Sequence, residues 1–238
     1  AVLTRGFLNV KKYNDIPGTQ VFEDFYPDPK YPDGYDEEFL ISGFNLVGNL
    51  GDNYGTLTEG WVQFSETGSY NWMIRSDDAS EIFVNPLGGT EASPPALPPA
   101  NETVFPDAAE EACCRAFQEP GDPATSATFA HEAGMVYGIS FAHKEGGGGD
   151  WFQGTARLAT DPTPAADMAP LGPGNCFAMV SPAGHRSELT EQPQDAAVDE
   201  NATATFTVEV GVLPTTDAYG VQWTLNGADI PGANGLSY

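Results

Sequence analysis

Residues 74–84 read Ile-Arg-Ser-Asp-Asp-Ala-Ser-Glu-Ile-Phe-Val and set two aspartates, Asp77 and Asp78, side by side between two apolar, strand-forming runs. Adjacent carboxylates repel, and successive strand residues point to opposite faces. The pair therefore suits one of two settings: a turn whose acids are solvated, or a turn with a cation between the two side chains. A net charge of −25, from nine Lys and Arg against 34 Asp and Glu, suits divalent cations and argues against nucleic acid and anionic membranes as partners. A second acid-rich stretch, from Phe25 to Phe39, carries Asp28, Asp33, Asp36, Glu37 and Glu38 among tyrosines and prolines. Its spacing fails the calcium-loop pattern of Asp and Asn at alternate positions before a glycine, so it reads as a solvated, proline-stiffened loop. Catalytic signatures are missing. The chain has no Gly-x-Ser-x-Gly, no His-Glu-x-x-His, no phosphate loop, and no His near a Ser or Cys in a known pattern. The expectation is a binding protein and not an enzyme.

The elements that must carry the aspartates are strands. Hydrophobic residues at 40% and aromatics at 11% are enough for a folded core, and apolar residues recur at period two with almost no helical spacing. Tyr70, Trp72 and Ile74 share one face of a strand, and Tyr137, Ile139 and Phe141 share one face of another. Three hairpins are expected: at Ser65–Gly68, at the aspartate pair, and at the glycine run before Asp150. Residues from about 86 to 125 are rich in Pro and Gly and read as a surface insertion, and a second such tract over 161–188 reads as a linker. Residues 189–238 hold further short strands. The fold class is therefore all-β: an antiparallel sandwich or barrel over 1–160, then a partial second β-domain. No run approaches the ~20 apolar residues of a membrane helix, and the N-terminus shows no charged-then-apolar leader, as for a secreted chain whose leader is absent or removed. Cys113, Cys114 and Cys176 lack metal-ligand spacing. They suggest a disulfide from Cys113 or Cys114 to Cys176 in an oxidising compartment, with three reduced thiols as the alternative.

The segment from Asp52 to Val84 resembles the protective-antigen-type domain, a fourteen-kilodalton β-sandwich found in adhesins, flocculins and many glycosidases. Gly68, Tyr70, Ser76, Asp77, Asp78, Ile82 and Val84 stand at that family's marked positions, and the later "HEAGMVYGISFAHKEGGGGDWFQGTARL" looks like its closing hairpin. The resemblance implies that Asp77 and Asp78 chelate one Ca²⁺, which then coordinates sugar hydroxyls. Remaining ligands would come from the glycine loop, by carbonyls of Gly147, Gly148 and Gly149 and by Asp150, since glycine lets backbone approach an ion and calcium takes about six to eight oxygens. Trp151 would offer an apolar face to a sugar ring. Without the ion, the same residues would be a capped turn, a flexible loop tip and a half-buried core indole.

Residues 189–238 are similar to bacterial immunoglobulin-like modules, with an alternating strand at Ala202–Val210 and Trp223 on the next strand ahead of Asn226-Gly227. Such a sandwich needs about seven strands, and this stretch supplies about four, so the module is incomplete unless the polypeptide continues or another chain adds strands. The functional expectation is a secreted, non-catalytic adhesive protein of a bacterial surface, dependent on calcium, with glycans or cell-surface polysaccharide as partners. One alternative is the protomer of an extracellular filament whose partners are other copies of itself. Another is the accessory part of a larger glycosidase.

Overall fold

The computed structural model describes residues 1–98, 115–181, 183–200, 202–214 and 217–238. The chain divides into two compact units, Ala1–Val180 and Ser181–Tyr238. The first is an antiparallel β-sandwich of eleven strands among the described residues: β1 (Val2–Arg5), β2 (Phe7–Tyr13), β3 (Glu37–Ser42), β4 (Asn45–Val47), β5 (Tyr54–Gln63), β6 (Gly68–Asp77), β7 (Ser80–Val84), β8 (Thr125–His131), β9 (Val136–Glu145), β10 (Trp151–Leu158) and β11 (Cys176–Val180).

One sheet is centred on β5, which pairs along its whole length with β9, while β9 pairs in turn with β7. The other edge of β5 is shared: Gly55–Glu59 lie against β2, and Trp61 and Val62 lie against β11. Gly60 stands at the handover, where a Cβ would come within 2.6 Å of both the Phe177 carbonyl and a Leu8 methyl. The second sheet runs β4-β10-β6-β8. Between the sheets lies the main core, including Leu8, Phe44, Trp72, Ile74, Ile82, Ile139, Phe141 and Phe152. Burial of each such side chain stabilises the fold by about 1.5–3 kcal/mol. Tyr70, Trp72 and Ile74, and likewise Tyr137, Ile139 and Phe141, point into this core as their alternation predicts.

The expected hairpins are connections of another kind. β5 and β6 lie in different sheets, as do β6 and β7, and β9 and β10. Each turn therefore arches across the core and pairs no two of its own flanking strands. Because β6 pairs with β10 and β7 pairs with β9, the aspartate turn and the glycine loop emerge side by side at one end of the sandwich. That adjacency creates the site described below.

Pro/Gly-rich segments also depart from expectation. Residues 161–180, expected as linker, belong to the first unit: Cys176 and Phe177 pair with β5, and Leu3–Arg5 pair with Phe177–Met179. The described part of the 86–125 insertion is packed and not merely superficial. Trp61 Nε1 donates to the Pro95 carbonyl, 2.8 Å, and Phe117 joins Met73 and Ala165 in a small cluster on the outer face of the second sheet. The outer face of the first sheet is covered at both ends of β9, where Val136 packs with Trp61, Phe177 and Leu97 and Ala142 joins Val21, Phe25 and Ala79, so every residue of β9 is buried. Cys176 is a free thiol, fully buried in the main core, so the expected bridge to it is not formed; Cys113 and Cys114 lie outside the described residues. Burial pushes the Cys176 thiol up to about 12.

The second unit has only short strands. β12 (Arg186–Glu191) pairs with β13 (Glu209–Leu213), and β14 (Thr224–Leu225) pairs with β15 (Ala228–Asp229) across an Asn226-Gly227 turn with both φ values positive. Asn-Gly is the pair that tolerates such a turn best. Phe206 and Tyr238 exchange backbone hydrogen bonds of 2.7 and 2.9 Å. No helix among the described residues is long and apolar enough to cross a membrane.

Candidate cation and ligand site

The aspartate turn is held from below. Its peptide bond between Asp77 and Asp78 is cis. Ser76 Oγ donates to the Asp78 carbonyl, 2.6 Å, and lies 2.7 Å from Ser80 Oγ. His143 Nε2 donates to the Asp77 carbonyl, 2.6 Å. That imidazole is buried, its pKa is pulled down to about 4 chiefly by burial, and it is the neutral Nε2–H tautomer that fits the acceptor. The Lys144 N–H donates to the Ala79 carbonyl, 2.9 Å, which ties the turn to the end of β9.

Around this turn four segments converge. Trp151, the first residue of β10, is the direct cross-strand partner of Asp77. Gly146 N donates to Asp78 Oδ2, 3.1 Å, and a methyl group at Gly149 would stand 3.5 Å from Asp77 Oδ2. Asp150 is buried: its Oδ2 accepts from the Leu50 N–H and from Tyr54 Oη, 2.9 Å, while its Oδ1 has no hydrogen-bond partner. The loop at 48–53 closes the far side, with Asp52 Oδ1 accepting from Gly148 N and Asn49 Nδ2 donating to the Gly148 carbonyl, both at 3.4 Å. Glu145 ends β9 only 1% exposed, and neither carboxylate oxygen meets a donor at hydrogen-bonding geometry.

The electrostatics follow from this crowding. Burial raises the Asp77 pKa, and the charges of Asp78 and Asp150 raise it further. Glu145 is pushed up to about 7 by burial and then by Asp78 and Asp77, with the Gly147 N–H giving partial relief. Lys144, next to Glu145 in the chain, spends its ammonium on the carbonyls of Gly18 (2.7 Å) and Glu145 (2.6 Å), and burial pulls its pKa down to about 8. Buried carboxylate oxygens without donors cost several kcal/mol when ionised, and a divalent cation would remove that cost. Among the described residues, no three His, Cys, Asp or Glu side chains already converge as a formed metal site. The donor set nevertheless has the chemistry of a hard oxygen-binding cation, with carboxylates from two arches and carbonyls from a glycine loop.

The structure thus brings together Asp77, Asp78, Asp150 and the Gly147–Gly149 run, and sets Trp151 half-buried beside them, with exposed Val47 across the strand. It adds Glu145 and the 48–53 loop, which the sequence reading passed over. The signal for Glu145 was its position directly before the glycine run; the loop's signal was its Gly-Asp-Asn composition, with Asn53 at φ 55°. On the same outer face of the second sheet, Arg75 Nε donates to Gln153 Oε1, 2.6 Å, and its guanidinium lies 4.5 Å from the Phe117 ring centre and 5.7 Å from that of Trp151. Gln153 is oriented in turn by its Nε2, which donates to Asn45 Oδ1, 2.6 Å.

No family model matches this chain, and no curated protein matches it. Solved structures with a similar shape include the A domain of epithelial adhesin 6 from Candida glabrata, in complex with Galβ1-3GlcNAc, at 17% identity over 76% of this chain and 94% of its own, with a TM-score of 0.39. The A domain of epithelial adhesin 9 from the same organism, with the same disaccharide, is similar at 12% identity over 74% and 89%, TM-score 0.44. The PA14 domain of the antifreeze protein MpAFP is similar at 17% identity over 75% and 93%, TM-score 0.44. Likeness this distant assigns no activity.

Proposed function

We propose that the first unit is a calcium-dependent, carbohydrate-binding adhesive domain of protective-antigen type, working on a cell surface and binding without catalysing a reaction. The observation that carries this reading is the pair of buried carboxylates beside the Asp77–Asp78 turn: Asp150, whose Oδ1 has no hydrogen-bond partner, and Glu145, neither of whose carboxylate oxygens has one. Asp77 and Asp78 would hold the ion from one arch; Asp150 Oδ1, Glu145 and carbonyls of Gly147–Gly149 would hold it from the other. The bound ion supplies open positions for two neighbouring hydroxyls of a sugar. The chain's own residues do the rest: His143 and Ser76 fix the turn, Tyr54 and Leu50 orient Asp150, and Trp151 with Val47 gives an apolar rim against which a sugar ring can rest. Calorimetric titration with Ca²⁺ tests the reading. Wild-type protein should release a one-site heat that Asp77→Asn/Asp78→Asn abolishes; equal heats for both proteins would remove the site.

One observation favours a second reading, the filament protomer. The second unit opens a groove of about 540 Å³ with a mixed lining, apolar at Leu189, Val208, Val221 and Trp223 and polar at Gln192 and Gln222. An open groove beside short strands suits an added strand from another copy. Sedimentation over a range of protein concentrations separates the two: growing polymers support the filament, and a monomer that still binds calcium supports the lectin.

A further inference from the structure

Among the described side chains, six Lys and Arg form ion pairs: Arg5 with Glu91, Lys11 with Glu59, Lys12 with Glu37, Lys30 with Asp36, Arg115 with Asp122 and Arg157 with Glu119. Lys144 is absorbed by two carbonyls. Arg75 differs from all of these. Among the described residues it has no carboxylate partner, although 34 acids are available in the chain. Only its Nε is bonded, and its two terminal nitrogens are neither buried nor matched with an acceptor. The Phe117 and Trp151 rings and the amide of Gln153 hold the guanidinium in place, so it is presented rigidly.

Its position gives this meaning. Arg75 precedes Asp77 by two residues on β6, so both side chains leave the same face of the sheet, roughly 7 Å apart along the strand. Trp151 is the cross-strand partner of Asp77, and Gln153 is the cross-strand partner of Arg75. A sugar resting on Trp151 beside the ion would therefore bring its substituents, or those of the next sugar, to the free fork of Arg75. A planar guanidinium with two open N–H groups takes a carboxylate or a sulfate in bidentate fashion.

We infer that Arg75 is a specificity residue for anionic glycans, accepting a carboxylate or sulfate group next to the sugar held at the Asp77–Asp78 corner. The inference rests on the carbohydrate-binding reading above and deepens it. The chain's overall negative charge does not oppose it, because calcium would neutralise the nearest acids and more distant ones are screened beyond about 8–10 Å at physiological salt.

The test measures affinity in calcium for galactotriose, trigalacturonate and a sulfated carrageenan disaccharide, with wild type, Arg75→Gln and Arg75→Lys. Wild type should prefer at least one anionic probe to galactotriose by about tenfold, the worth of one charge-assisted bidentate contact. Arg75→Gln should lose that preference while keeping galactotriose binding and the calcium heat, and Arg75→Lys should keep only part of it. Preference for trigalacturonate alone identifies the carboxylate, and for the sulfated probe alone the sulfate. An anionic preference that survives in Arg75→Gln overturns the proposal, since the charge would then be read by the ion itself. Neutral binding with no anionic preference overturns it too, leaving the lectin reading intact. Failure of all three probes to bind wild type, with the calcium heat present, overturns both.

Discussion

Two acid-rich regions of the first unit have similar composition and opposite character. In the stretch from Asp28 to Glu38, each carboxylate with a described contact meets a donor at the surface. Asp36 accepts from Lys30 and from the Asn14 N–H, Glu37 from Lys12 and Asn14, Glu38 from Asn9, and Asp28 from the Lys30 N–H. Those donors hold Asp36 and Glu37 below the usual carboxylate range. At the arch end of the sandwich, Glu145 and Asp150 are almost completely buried, they keep oxygens without donors, and burial, then neighbouring acids, push Asp77 and Glu145 upward. Local acid density therefore does not distinguish the two regions. What sets the proposed cation site apart is a carboxylate taken out of water with an oxygen that nothing satisfies.

This contrast can be broken or sharpened by experiment. The largest effect should come from the ion. Calcium at about 100 times its Kd stabilises a protein by about 2.7 kcal/mol, which for a unit of this size raises the melting temperature by roughly 5–10 °C. Calorimetric scans should show that rise in wild type and in Asp28→Asn/Asp36→Asn, and lose it in Asp77→Asn/Asp78→Asn. Loss in the first double variant would erase the distinction between the two regions.

A smaller effect is expected within the glycine loop. A methyl group at Gly146 would meet Thr19 Cγ2 at 2.7 Å, the Gly18 carbonyl at 3.1 Å and Asp78 Oδ2 at 3.3 Å, whereas one at Gly147 meets nothing closer than Asp52 at 3.6 Å. Gly146→Ala should cost about 1–3 kcal/mol in denaturant unfolding, as overpacking does. Gly147→Ala should stay within about 0.5 kcal/mol. Equal costs would mean that the loop does not pack against the aspartate turn.

The smallest effect is pH-dependent. Native Glu145 keeps its proton to about pH 7, while the unfolded side chain releases it near the ordinary glutamate value of 4.5. Between those values the native state binds more protons, so its contribution to stability falls as pH rises. The stability gap between Glu145→Gln and wild type, measured without calcium, should therefore widen from about pH 4.5 and level off above about 7. His143, lowered from 6.5 to about 4, works in the opposite sense and gains stability as pH rises through that range, but it is common to both proteins and cancels in the difference. A gap that is flat with pH would place Glu145 in contact with solvent.

The sequence disclosed strands and inward faces more readily than their pairing. Trp72 and Ile139 announce their direction by alternation, because side-chain direction is a local property of the backbone. Whether Ser65–Gly68 closes a hairpin or an arch depends on which sheet each flanking strand joins, and turn residues serve both. Asp77, Asp78 and Asp150 were legible as acids bounded by strands and glycine. Their setting was not, since Leu50 and Asp150 meet across about 100 residues and Glu145 looks like any strand end. β11 was hidden by its surroundings: five residues in a Pro/Gly tract gain their meaning from distant partners, β5 and β1, the latter at the opposite end of the unit.

That last pairing has a consequence for how the unit is made and used. Val2 lies opposite Val180, so the seam of the sandwich is sewn by its first and last strands. Loop-closure entropy over so long a separation must be overcome before the seam forms, and on the ribosome the sandwich stays open at that edge until its final strand has emerged. Once shut, its entry and exit points are neighbours, which lets the unit be set into a larger polypeptide like a bead on a thread without spreading the flanking segments apart.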